Sequence, residues 1–131
     1  MTADIWLDRA DRNLRSARLT LDDDDPNTAC GLAYYAMFYS ARAALLAVNE
    51  REAAAKTHSG LIAAFNLNVA RSWNMGPEHS RNLGTEANRR LLATYQGGTV
   101  DQAAAVEAIE HATASVDAVR TWVAGRPGRE T

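Results

Sequence analysis

One stretch constrains this chain more than any other. "TACGLAYYAMFYSARAALLAV", residues 28 to 48, has the length and alanine content of a helix and is apolar almost all the way round. A helix without a polar face is stable only when it is covered on several sides. The period predicts a helix over about 27–49, opened by Asp25 as N-cap and Pro26 in the first helical turn. The rest of the chain must then supply its coat.

Four further helices provide it. Trp6, Ala10, Leu14, Ala17 and Leu21 recur at helical spacing over 3–21, and the aspartate run 22–25 ends that helix. A third helix is expected over about 57–72, with Leu61, Ile62, Phe65 and Val69 inward. A fourth runs over about 77–95 with the stripe Leu83, Ala87 and Leu91, and Gly97 and Gly98 stop it. Thr99 and Gln102 read as a capping box for the fifth, whose stripe is Val106, Ile109, Val116, Val119 and Val123. With 26 alanines and three prolines, composition agrees. The expected fold class is all-α: an antiparallel bundle of five helices in one domain over 1–131, with 124–131 as a frayed tail.

Several function classes drop out. Cys30 is the one cysteine, so there is no disulfide framework, and a reduced, cytoplasmic setting is expected. No run of eighteen apolar residues lacks a charge, and the start "MTADIWLDRADR" reads as neither signal peptide nor span. A net charge of −2 does not suit indiscriminate nucleic-acid binding, although 13 of the 14 basic residues are arginine. His58, His79 and His111 show no metal-ligand spacing, so no metal and no cofactor are expected. Neither a phosphate-binding glycine loop nor a GxSxG nucleophile elbow occurs.

Two polar clusters remain. Tyr35, Tyr39 and Arg42 share one face of the second helix, as the rim of the core, a seam between two copies, or a ligand site. "NRRLLATYQGG", 88–98, places Arg89, Arg90 and Tyr95 at the end of the fourth helix. His58 opens the third helix, where a cap, a packed histidine and a functional one are all possible.

"AYYAMFYSARAALLA", then "KTHSGLIAAF", then an arginine-bearing helix ending in "ATYQGGT" resemble the small single-domain HEPN proteins of bacteria and archaea, over about Leu14 to Val123. The resemblance implies a helical bundle that forms homodimers. It also implies a minimal nucleotidyltransferase as partner, the pair forming a toxin–antitoxin or defence module. Many such proteins are metal-independent ribonucleases that use an arginine, four to six intervening residues and a histidine, often with a tyrosine two residues later. There the histidine moves the 2′-hydroxyl proton and the arginine stabilises the charged phosphorane.

This chain departs from that pattern. Counted back from Tyr95, the histidine position holds Ala93 and the arginine position Asn88. Arg51 to His58 has the formal spacing but crosses a linker. The expectation is therefore a module without the usual Arg/His pair, which binds a nucleotide, RNA or a nucleotidyltransferase through Arg89, Arg90, Tyr95, Tyr35, Arg42 and His58. Tyr95 is the candidate for modification. The alternative is a ribonuclease toxin with a variant site built from Arg90 and His58, which requires those two residues to meet in space.

Overall fold

A computed structural model describes residues 2–48, 57–71, 77–95, 97 and 99–125, without the side chains of 70, 71, 77, 94 and 95. Five helices are present and no strand occurs among the described residues: α1 (Ala3–Asp22), α2 (Pro26–Val48), α3 (His58–Phe65), α4 (Pro77–Tyr95) and α5 (Gln102–Ala124). The all-α bundle read from the sequence is the fold observed. The linker 49–56, Gly98 and the tail beyond 125 lie outside the described residues.

α2 packs against each of the other four helices. Its buried residues, Ala29, Cys30, Ala33, Tyr34, Ala36, Met37, Ala41, Ala43, Ala44 and Leu45 among them, cover more than half of its circumference, and the remaining face of Leu32, Tyr35, Tyr39, Arg42 and Leu46 is half-buried. Alanine accounts for this closeness, since a methyl side chain lets neighbouring helices approach at little entropic cost. Asp25 caps α2 as its position predicts, accepting from the Thr28 N–H at 3.2 Å. Asp24 adopts φ +62° in the tight turn before it, a left-handed conformation that aspartate tolerates better than most residues.

Four details differ from the sequence reading. The third helix is not uniform over 57–72: α3 ends at Phe65 and a π-helical segment, Asn66–Arg71, continues it. Within it the Asn68 side-chain amide donates to the Ala64 carbonyl at 2.9 Å. Leu91 and Val106 sit at the edges of their stripes and are exposed rather than buried. On α4 the fully buried neighbour of Leu83 is instead Glu86. Finally, α5 is capped by Asp101 and not by Thr99; the Asp101 carboxylate accepts from the Ala104 N–H at 2.8 Å. Asp101→Ala is expected to lower stability by about 1 kcal/mol in urea titrations, while Thr99→Ala leaves it unchanged.

Candidate functional site

The motif "THSG" builds one wall of the site. Thr57 is the N-cap of α3, and its hydroxyl accepts from the Gly60 N–H at 3.0 Å. His58 is thereby held in the first turn, facing α2. Its Nδ1 lies 2.6 Å from the Tyr34 hydroxyl. The imidazole stacks on Phe38 with ring centroids 4.5 Å apart and meets the edge of Tyr35 at 5.7 Å. From α4, the Arg90 guanidinium lies over the rings of Tyr34 and Tyr35, at 5.2 and 5.5 Å from their centroids. Cation–π contacts of this kind position a guanidinium against an aromatic face.

Tyr34, His58, Asn66, Asn88 and Arg90 line one cavity of about 600 Å³, floored by Ile62, Ala87 and Leu91. That volume falls within the usual range for small-molecule sites. Asn66 opens the π-helical segment, and π-helical turns commonly re-aim side chains at functional sites. Asn88, at the arginine position of the HEPN pattern, faces the same space. Ala93, at the histidine position, does not line it.

The protonation of this cluster follows from its surroundings. Tyr34 is wholly buried, and burial pushes its phenol up to about 12, so it keeps its proton. His58 is shifted the other way: burial, then the nearby charges of Arg90 and Arg42, lower it from 6.5. Near neutral pH the imidazole is uncharged. The Tyr34 hydroxyl has no acceptor other than Nδ1 among the described residues, so it donates there. The ring proton then belongs on Nε2, which leaves His58 a neutral N–H donor beside a cation.

Because the folded chain takes up this proton less readily than the unfolded one, the stability His58 contributes is complete above about pH 6.5 and declines as pH falls from there towards the lowered folded value. Urea midpoints measured across that window should drop with pH, and the drop should be shallower in His58→Gln.

The structure thus brings together His58, Arg90 and Tyr35. Arg42 adjoins them, its guanidinium lying over Phe38 at 5.3 Å and Trp6 at 5.0 Å. Arg89 points elsewhere. It donates to Glu86 at 3.1 Å, to Glu107 at 2.8 Å and to the Ala104 carbonyl at 2.9 Å, tying α4 to α5. That bond holds the Glu107 carboxyl below its usual range. His111 Nδ1 joins the cluster 2.8 Å from Glu86. Glu107 stands four residues before His111 on α5, a spacing the sequence reading passed over, and in space Glu86, Glu107 and His111 bring their ligand atoms within 4.8 Å of one another. Arg89 already provides the positive charge between those carboxylates that a metal ion would bring. Tyr95 ends α4, and its side chain is not among those described; Arg51 is also outside the described residues.

Tyr34 and Asn66 are the site residues that sequence reasoning passed over, the first in favour of Tyr35 beside it. The available signal was chemical: a tyrosine in the centre of an all-apolar helix needs a partner for its hydroxyl.

Comparison with known proteins identifies the family. The HEPN domain matches residues 3–123. A UPF0332 protein of Gloeobacter violaceus, glr0978, is 37% identical over 91 residues, 70% of each chain. A UPF0332 protein of Thermotoga maritima is 34% identical over 86 residues, 66% of this chain and 60% of the relative. A Methanocaldococcus jannaschii protein named "Putative toxin MJ0605" is 28% identical over 114 residues, 87% of this chain and 83% of the relative. The chain belongs to the HEPN family.

Proposed function

We propose that this HEPN-family chain binds the phosphate of a nucleotide or of RNA in the cavity between α2, α3 and α4, as the ligand-binding component of a toxin–antitoxin or defence module. The observation that carries the reading is the Tyr34–His58 contact at 2.6 Å beside Arg90 on a shared cavity wall. Arg90 supplies charge and a planar fork suited to phosphate. His58 supplies a neutral Nε2–H donor, held in that tautomer by Tyr34. Asn66 and Asn88 add polar groups able to meet a sugar or base. The relative named as a toxin supports the module role, and the family resemblance supports a second copy and a nucleotidyltransferase as partners. No helix among the described residues is long and apolar enough to cross a membrane.

The second reading, metal-independent RNA cleavage by His58 and Arg90, is favoured by one specific observation. The two residues share the cavity, as that reading requires, and an uncharged imidazole is the form a general base needs. It demands that Tyr34 turn its hydroxyl so that Nδ1 carries the proton and Nε2 is free to accept one.

His58→Gln separates the two, because a glutamine amide can donate a hydrogen bond but cannot shuttle a proton. With uridine 5′-monophosphate and labelled oligouridylate in chelator, the binding reading expects nucleotide binding, intact RNA, and affinity largely kept in His58→Gln. RNA cut by the wild type and spared by His58→Gln would transfer the assignment to the nuclease. Tyr34→Phe, which conserves shape, is expected to weaken nucleotide binding by about 0.5–1.5 kcal/mol by releasing the tautomer; isothermal titration measures it.

A further inference from the structure

The cavity has an aromatic and cationic extension. Beyond Arg90, the ring of Tyr35 lies 6.1 Å from that of Tyr39, and Tyr39 stacks on Trp6 of α1 at 5.5 Å. The Arg9 guanidinium covers Trp6 at 4.7 Å. Arg42 flanks the row, in contact with Trp6 and Phe38. Tyr35, Tyr39 and Trp6 are half-buried, so each keeps part of its surface in solvent, and Arg9 is exposed. Five of the chain's nine aromatic residues, Tyr34 and Phe38 included, stand in this cluster, in a protein whose commonest core residue is alanine.

We infer that this row is a track for a single RNA strand that leads into the cavity, an inference that rests on reading the cavity as a phosphate or nucleotide site. Successive bases stack on aromatic rings and on guanidinium planes, because every base offers a π-face. The phosphates between them need cations, and the row provides three: Arg90, Arg42 and Arg9. Arg9 has no carboxylate partner among the described residues, whereas Arg12 on the same helix is paired with Asp8 at 3.0 Å. The positive charge is local, which reconciles an RNA ligand with a chain of net charge −2.

Row and cavity have different jobs, so they can be tested separately. The full chain is titrated with uridine 5′-monophosphate and with oligouridylates of two, four and six nucleotides, following tryptophan emission. The tetranucleotide should bind at least about tenfold tighter than the mononucleotide, the order expected for one added stacked base. Its quenching should be lost in Trp6→Phe, which conserves the packing of α1 on α2. Arg9→Ala should erase the gain with length and reduce the slope of log affinity against log salt by about 0.7, the value for one phosphate of a single strand, while mononucleotide affinity stays as in the wild type. Affinity independent of length, or a length gain untouched by Arg9→Ala and Trp6→Phe, overturns the track. Failure of the mononucleotide to bind, with the tetranucleotide still held through Arg9 and Trp6, would instead remove the cavity reading and keep the track.

Discussion

Glu86→Ala is expected to cost about 3–5 kcal/mol of stability, the range for removing one partner of a buried ion pair. Glu86 is 0% exposed and accepts from Arg89 at 3.1 Å and from His111 at 2.8 Å. Truncating it leaves Arg89 turned inward on α4 with only one of its two acids, Glu107 at 2.8 Å, and α4 loses one of its links to α5. Urea unfolding near neutral pH provides the measurement. Glu86→Met combined with Arg89→Met should recover most of the loss, since replacing both charges with apolar groups of similar volume spares the desolvation of each. A single variant within about 0.5 kcal/mol of wild type, the usual range for surface substitutions, would show that the cluster holds nothing together. Its position also separates two adjacent arginines. Arg89 belongs to the scaffold and Arg90 to the cavity, one residue further round the helix.

Arg90→Ala should then act on binding rather than on folding. Loss of a charge-assisted contact of about 1.5–3 kcal/mol corresponds to a roughly ten- to hundredfold weaker affinity for uridine 5′-monophosphate. Arg90→Lys should fall between, because an ammonium keeps the charge but lacks the planar fork and the stacking surface held over Tyr34 and Tyr35. An independent signal accompanies the change. After burial, Arg90 is the next cause of the lowered His58 value, so its removal should let that value rise towards 6.5 in an NMR titration. A shifted histidine with unchanged nucleotide affinity would mean that Arg90 tunes His58 without touching ligand, and the phosphate reading would fail.

The architecture was legible because it depends on local rules. Helical period, the Asp25–Pro26 start and the apolar circumference of residues 28–48 are written along the chain, and α2 does lie among the four other helices. The errors fell where local rules compete. Thr99 and Asp101 both suit a cap, and only the path of the loop chose Asp101. The π-helical segment from Asn66 leaves no mark in the apolar period of 57–72, which reads as one continuous helix.

The site was legible as residue types but not as a constellation. His58, Arg90, Tyr35 and Arg42 stand out from their neighbours by chemistry, and the HEPN motifs mark the segments that hold them. Which of them share a cavity depends on how α3 and α4 rotate against α2, and periodicity does not encode that rotation. Adjacent positions on a helix point about 100° apart, so one residue's difference sends Arg89 to Glu86 and Arg90 to Tyr34. The sequence by itself determined an all-α bundle around one buried helix, because burial and helical period act over a few residues. Tertiary packing alone decided that Tyr34 meets His58, that Arg90 lies beside them and that Glu86 is buried under Arg89, because these contacts join residues 24 to 56 positions apart or depend on which face of α4 turns inward.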